Sequence, residues 1–371
     1  MTVLAILSLC AWVWLLAAHG RFWQAGPVLA PDRPAESPAV VAVVPARDEA
    51  PCVARSLGSL LAQDYAGDLR VILVDDGSTD RTGAIARDLA DPRLTVLTGA
   101  SRPAGWTGKQ WAVSQGIAKA GPAEFILLTD ADIVHERGHL AALVAQAERT
   151  DADLVSEMVR LSRASAAERA LIPAFVFFFQ LLYPFAWVND PRHRTAAAAG
   201  GTMLVRRRAL DRIGGIAAIR DALIDDVALA AAVKQGGRIW LGHTALAHSI
   251  RPYPRATEIW RMIARSAYVQ LRCSPLLLVG CIVGMALVWI VPPVAVIAGH
   301  GAGRAVGAVA WVGLACSYLP SLRRYRLSAW RAPFLPLVAA FYMAATIGSA
   351  VNHHLGRGVA WKGRAYQGAR A

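Results

Sequence analysis

Three short acidic strings recur along the chain in a fixed order. Val74-Asp75-Asp76-Gly77-Ser78-Thr79-Asp80 closes one apolar run, Asp130-Ala131-Asp132 closes a second, and Asp225-Asp226 opens a helical one. Ahead of them, Pro45-Ala46-Arg47-Asp48-Glu49 follows a β-branched run. A carboxylate there can accept bonds from uracil and from neighbouring main chain, and Pro45, Arg47 and Glu49 are the candidate nucleotide-sugar-binding residues. Gly77 permits a tight turn, and Asp75 or Asp76 beside it can hold the base and ribose of a nucleotide. Asp130 and Asp132, two residues apart at a strand end, suit a hard divalent cation, Mg2+ or Mn2+, that also takes diphosphate oxygens. Such a cation acts as a Lewis acid on a departing diphosphate. Asp226, with Asp225 as second choice, lies at a helix start where an anion is stabilised. It can still take a proton from an attacking hydroxyl.

Two glycine-bearing strings accompany the carboxylates. Gly105-Trp106-Thr107-Gly108-Lys109 precedes a helix, and its amides and Lys109 can meet phosphate or sugar oxygens. Gly200-Gly201-Thr202-Met203 opens a strand and permits close approach of a sugar or an acceptor, while Arg206-Arg207-Arg208 reads as a solvated or lipid-facing edge. Each string also has a purely structural reading, as an Asx-turn, a helix cap or an ordinary loop. His135-Glu136-Arg137-Gly138-His139 matches the H-E-x-x-H pattern of zinc proteases. That chemistry needs both histidines on one face of a stable helix, and Gly138 weakens a helix there. The string therefore reads as a loop entering a helix, with the histidines near the cation site.

Short apolar strands separated by helices must position these groups. Val40–Val44, Val71–Val74, Leu94–Thr98 and Phe125–Thr129 read as strands; Cys52–Ala62, Thr82–Ala90 (capped by Asp80), Gly108–Ala120 and Val227–Val233 read as helices. This alternation predicts an α/β fold with a mostly parallel sheet flanked by helices, and such sheets bind ligands at the carboxyl ends of their strands.

The rest of the chain is apolar. Hydrophobic residues make up 55% of the 371 residues, charged ones 18%, and the net charge is +13. That balance predicts membrane segments, and arginines beside apolar runs hold cytoplasmic loops against anionic lipid. The basic residues are dispersed and form no nucleic-acid module, so no nucleic-acid partner is expected. The five cysteines have neither pairing nor metal spacing and read as packed thiols in a reducing compartment.

Val3–Ala18 suits a signal-peptide core or, preferably, an uncleaved anchor with its C-terminal end in the cytoplasm. The expected organisation is an N-terminal anchor over 1–20, a proline-rich linker over 21–38, a catalytic domain over 39–255, an amphipathic interfacial segment over 256–273, a transmembrane region over 274–352 and a basic tail over 353–371. Leu171–Val188, interrupted by Pro173, Gln180 and Pro184, reads as an interfacial or acceptor-facing helix. Leu276–Ala298, Val306–Leu319 and Phe334–Val351 are the candidate spans, the second of them short for a bilayer. Three full spans would put the tail, with Arg357, Lys362, Arg364 and Arg370, outside the cell, against the positive-inside rule, unless one stretch is re-entrant or interfacial.

From Val40 to about Ile250 the order of motifs resembles the family 2 glycosyltransferases of GT-A fold. The anchor, Ile224-Asp225-Asp226-Val227-Ala228-Leu229 and the stretch from Arg251-Pro252-Tyr253 to Arg265-Ser266-Ala267-Tyr268 look like the hopanoid-associated bacterial members. Trp361-Lys362-Gly363-Arg364-Ala365-Tyr366 is similar to the tail of ceramide-glucosyltransferase-like relatives. The resemblance implies that Glu49 and Asp76 bind the nucleotide, Asp130 and Asp132 hold nucleotide and metal, and Asp226 is the base of an inverting, single-displacement transfer. It implies a UDP-sugar donor, a membrane-lipid acceptor, and a multi-pass protein of the bacterial inner membrane with its catalytic domain in the cytoplasm. The Q-x-x-R-W string of polymer-making members is absent, which favours addition of one sugar to a lipid hydroxyl, such as that of a hopanoid. Polyprenyl phosphate or a glycolipid is the alternative acceptor. A transporter or scaffold would leave the carboxylates without a task, and a nucleotidyltransferase would need a glycine-rich phosphate loop where Pro45–Glu49 stands.

Overall fold

The computed structural model describes residues 1–356, 359–361 and 364–366. The expected basic tail falls partly on Arg357, Lys362 and Arg370, which lie outside the described residues. Two compact units are present: one comprises 27–162 and 187–251, the other 1–26, 163–186 and 252–371.

The first unit is built on an eight-stranded sheet: β1 (Val40–Ala46), β2 (Leu69–Asp75), β3 (Leu94–Thr98), β4 (Phe125–Thr129), β5 (Ile133–His135), β6 (Leu154–Arg160), β7 (Thr202–Arg206) and β8 (Ile239–Ser249). Their order is β3-β2-β1-β4-β7-β6-β8-β5. The β3-β2-β1-β4 half is parallel, β6 and β8 also pair in parallel, and β7 and β5 run antiparallel to their neighbours. Every residue of β1 and β4 is buried. Strands covered on both faces read as continuous apolar runs rather than alternating ones, which is why these were legible in the sequence. The chain leaves β1 toward β2 and β3, then returns to the other side of β1 as β4. The crevice at such a reversal is where open α/β sheets bind ligands.

β1 continues through Pro45 rather than ending before it. Its pairing with β4 covers Val40–Val43 only, so the missing amide of Pro45 falls beyond that ladder while Pro45 stays in register with Val74 of β2. The helix Gly108–Lys119 lies across β1 and β2. A side chain at Gly116 would run into Val43 Cγ1 and come within 3.2 Å of Val74 Cγ2, so this glycine sets how near the helix can approach.

In the second unit the helix Thr2–Ala18 packs with the C-terminal helices. Trp12 donates to Val288 O at 2.8 Å, and its ring meets Trp289 edge-on at 5.0 Å. Among the described residues, three helices are long and apolar enough to cross a membrane: Pro275–Ala298, Gly301–Arg324 and Ala329–His354. The middle stretch, expected to be short, belongs to a helix of 24 residues, because Gly301–Ala305 and Pro320–Arg324 continue the helix beyond the apolar window. A π-turn at Ala286–Ile290 interrupts the first, just before Pro292 and Pro293, whose rings cannot continue the amide ladder. The expected helix over Leu171–Val188 instead spans Ala166–Leu182 with Pro173 inside it. A capping box between Ser165 and Glu168 sets its start. The amphipathic segment forms the helix Ala256–Ala264, with Ile259 and Ile263 buried and Arg261 exposed. Of the cysteines expected to be packed, Cys52 is buried, whereas Cys10 and Cys316 are exposed.

The glycine contacts separate two substitutions. Gly116→Val lowers stability by about 1–3 kcal/mol through overpacking. Gly58→Ala, in a helix where nothing lies within 4 Å of the added carbon, raises stability by about 0.4–1 kcal/mol. Chemical denaturation of the full chain checks both, and a Gly116→Val variant as stable as wild type contradicts the close approach.

Candidate active site

The loops after β1 and β2 are locked together at the carboxyl edge of the sheet. Asp76 N–H donates to Ala46 O at 2.8 Å, and Arg47 Nη1 donates to Asp76 O at 2.7 Å. Asp48, in a left-handed conformation with φ 51°, accepts Thr79 N–H at 2.7 Å and the Thr79 hydroxyl at 3.1 Å. Asp80 accepts Thr82 N–H at 2.9 Å, but the N-cap position of the helix Thr82–Arg87 is Arg81, with no side-chain cap, so Asp80 is not the cap that was expected. Asp75 Oδ1 accepts Ser78 N–H at 2.9 Å and closes the turn at Gly77, whose φ is 67°. A Cβ at Gly83 would lie 2.5 Å from Asp75 Oδ2. Asp75 thus shapes the loop, while Asp76 and Glu49 are buried beside it.

A second group forms around Lys109, the second residue of the helix Gly108–Lys119. Thr107 caps that helix by accepting Gln110 N–H. Lys109 Nζ lies 3.0 Å from Asp130 Oδ1 and 3.1 Å from Asp225 Oδ2. Burial works against the ammonium, but Asp130 and Asp225 outweigh it and hold the amine protonated above the ordinary lysine range. Pro45, Lys109, Asp130, Gly200, Asp225 and Leu229 share the wall of one pocket. Asp226 adjoins that wall through Gly200, whose N–H donates to its Oδ2 at 2.8 Å; its Oδ1 accepts Val227 N–H, also at 2.8 Å. A Cβ at Gly200 would come within 3.2 Å of that Oδ2. Gly201 serves differently: its carbonyl accepts the Thr129 hydroxyl at 2.9 Å, tying the loop before β7 to the end of β4.

Asp130 and Asp132 were expected to point into one pocket. They flank the buried Ala131 and take different cationic partners. Asp132 Oδ2 lies 2.9 Å from Arg251 Nε and accepts the Ser249 hydroxyl at 3.1 Å. The same guanidinium reaches both Glu49 oxygens, at 2.6 and 2.8 Å. The edge therefore carries two charge-sharing clusters, Asp130–Lys109–Asp225 and Glu49–Arg251–Asp132, joined by three consecutive residues. Arg251 entered the sequence reading only as part of a resemblance. Its place depends on β8, a strand whose mixed composition gave no clear alternation.

Burial pushes the Asp130 carboxyl up, and Asp132 and Asp225 add repulsion that Lys109 only partly offsets. Asp226 is pushed up to about 6 by burial and by Asp225, against the opposing pull of Lys109 and the two amides. No group of three or more His, Cys, Asp or Glu side chains converges to hold a metal among the described residues. Two crowded carboxylates nevertheless fit Mg2+ or Mn2+, which bind through one or two carboxylates and take other ligands from substrate phosphates and water. The H-E-x-x-H string is not a zinc site. His135 ends β5 and His139 begins a helix, so no helix joins them. Their Nδ1 atoms lie 2.8 Å apart, and His139 pairs with buried Glu157. Burial, then His139, holds His135 neutral.

Residues 41–214 match the model of the family described as "Glycosyl transferase family 2". They form a family 2 glycosyltransferase domain. An N-acetylglucosaminyltransferase of Bradyrhizobium elkanii is 33% identical over 132 residues, 34% of this chain and 65% of the relative. The probable glycosyltransferase YdaM of Bacillus subtilis is 25% identical over 240 residues, 61% of this chain and 53% of the relative. The chain thus spans less than two thirds of the length of these curated relatives. A mannosyltransferase from Pyrobaculum calidifontis, solved with GDP-Man and Mn2+, shares the fold with a TM-score of 0.57 and 22% identity. The match covers 96% of this chain and 99% of the other. The domain is the mostly parallel sheet flanked by helices that the sequence predicted.

Lys109→Met tests the charge sharing. Asp130 and Asp226 titrate above their unfolded values, so they favour the fold below the unfolded pKa and that contribution is lost as pH rises through the folded one. Removing the ammonium raises both carboxyls further. The variant is expected to lose about 1–3 kcal/mol of stability, more at pH 8 than at pH 5. Denaturation at both pH values measures this; a pH-independent loss contradicts it.

Proposed function

We propose that this family 2 glycosyltransferase moves one sugar from a nucleotide diphosphate, with UDP as the nucleotide, to a hydroxyl of a membrane lipid such as a hopanoid, with inversion at the anomeric carbon. The observation that carries this is Asp226. It stands at a helix N-terminus beside the pocket, held by one amide on each oxygen and titrating at about 6, where an anionic base is available at neutral pH. The acceptor oxygen attacks the anomeric carbon, its proton passes to Asp226, and the bond from that carbon to the diphosphate oxygen breaks. Asp130 and Asp132 would hold a divalent cation, which when bound draws electron density from the leaving diphosphate. Lys109 keeps Asp130 ionised for that task and limits the repulsion that Asp225 exerts. Glu49 and Asp76, at the ends of β1 and β2, are assigned to the nucleoside, with Pro45 and Arg47 shaping the adjoining loop.

The GDP-Man and Mn2+ of the mannosyltransferase with the same fold support a nucleotide sugar and a divalent cation as ligands, and favour including GDP-sugars in any donor test. Three helices able to span a bilayer, in the same chain, support a lipid acceptor. The bacterial inner membrane, a cytoplasmic catalytic domain and the segment boundaries drawn from the sequence belong to this proposal.

Membranes containing the protein, incubated with labelled UDP- and GDP-sugars and lipid extract, are expected to yield a singly glycosylated lipid by mass analysis. Activity rises with pH through about 6 as Asp226 ionises. Asp226→Asn reduces the rate by about 10²–10⁴-fold and removes that limb. A phosphate acceptor, which needs less help from a base, would instead leave Asp226→Asn largely active. Absence of nucleotide release from every donor contradicts the transferase reading.

A further inference from the structure

Arg251 follows β8 and makes contacts that the proposed transfer does not itself require. Its Nε lies 2.9 Å from Asp132 Oδ2 and its Nη2 lies 2.6 and 2.8 Å from the two oxygens of Glu49. Asp132 is fixed further, since its Oδ2 accepts the Ser249 hydroxyl at 3.1 Å and its carbonyl accepts Ile250 N–H at 2.9 Å. The two carboxylate side chains are 10% and 11% exposed, whereas the guanidinium is 32% exposed. The anions are therefore anchored in the wall and the cation lies on their solvent side.

A guanidinium in that place competes with any other cation for Asp132. A divalent ion bound by Asp130 and Asp132 would meet a like charge at short range, in a site where water screens poorly. The alternative partner for the guanidinium is phosphate: its planar fork matches phosphate oxygens as well as carboxylate oxygens. A diphosphate arriving with the cation gives Arg251 another anion to bind and supplies the cation with its missing ligands.

We propose that Arg251 is a built-in counter-ion that keeps divalent cations off Asp132 until a nucleotide diphosphate binds, so that cation and donor load together. This rests on the reading of Asp130 and Asp132 as cation ligands. Arg251 acts here through Asp132 and Glu49 and is a positioning residue. One consequence is that Arg251→Lys, which keeps the charge but replaces the planar fork with one nitrogen, matches the spacing of the two carboxylates less well and relieves the competition only in part.

The test measures Mn2+ binding by the loss of the free-ion electron paramagnetic resonance signal, on the full chain in detergent micelles, with and without UDP. Without UDP, Arg251→Gln is expected to bind Mn2+ about tenfold more tightly than wild type, the effect of removing one charge-assisted contact. The tightening caused by UDP should be smaller in the variant than in wild type, and Arg251→Lys should lie between them. Thermal unfolding confirms that each variant is folded; if Arg251→Gln is not, the comparison of Arg251→Lys with wild type decides. Equal or weaker Mn2+ binding by the folded Arg251 variants, with binding still lost in Asp132→Asn, overturns the counter-ion role alone. Mn2+ binding that ignores Asp132→Asn in both Arg251 backgrounds overturns it together with the cation reading beneath it.

Discussion

Crowding of negative charge at one sheet edge is the constraint on which the site depends. Glu49, Asp130 and Asp132 follow β1 and β4, which the crossover sets side by side, and Asp225 and Asp226 reach the same rim from the start of the helix before β8. Left unpaired and partly buried, such carboxylates would take up protons rather than stay ionised. Lys109 and Arg251 each serve two of them from different parts of the chain. The same contacts tie the helix starting at Gly108, the helix starting at Asp225 and the end of β8 to the loops after β1 and β4. Fold and electrostatics are thus stabilised by one set of bonds, and Glu49, Asp130, Asp132 and Asp225 are placed by the groups that neutralise them.

Parts of this arrangement were legible in the sequence for a simple reason. β1, β2 and β4 are covered on both faces and announce themselves as apolar runs, and acidic residues directly after such runs must lie at the carboxyl edge. The helix starts at Gly108 and Asp225 were legible from a cap and an acidic first turn. β6 and β8 were not. β6 buries Ser156 and Glu157 among its apolar residues, because Ser156 bonds the loop at Ala199 and Thr202 and Glu157 pairs with His139. β8 mixes Trp240, Gly242, His243 and Thr244, and its pairing with β6 and β5 is a matter of long-range register. Arg251 could not be assigned without that strand, and so the separate cationic partners of Asp130 and Asp132 were not foreseen either. The H-E-x-x-H string is the converse case: a pattern with the right letters whose histidines belong to a strand end and a helix start.

The second unit follows different physics. Its outer surfaces expose Leu276, Val279, Val283, Ile297, Val309 and Val312, while its interior is closed by aromatic edges, among them Trp12 against Trp289 and Phe177 against Tyr318. Close approach there uses small residues: a Cβ at Gly307 would lie 2.6 Å from that of Ala295. Packing of this kind suits helices in an apolar solvent, where association comes from van der Waals fit rather than from expulsion of water. The short apolar window within Gly301–Arg324 understated the helix because small and basic residues at its ends carry little hydropathy.

The proposed transfer is a single displacement in which an alcohol, relieved of its proton by Asp226, enters opposite the departing diphosphate. The configuration of the product reports this most directly. With an α-linked nucleotide sugar as donor, proton NMR of the purified glycolipid should give the anomeric coupling of a β-linkage. An α-linked product would mean retention, and would contradict both the single displacement and the role given to Asp226.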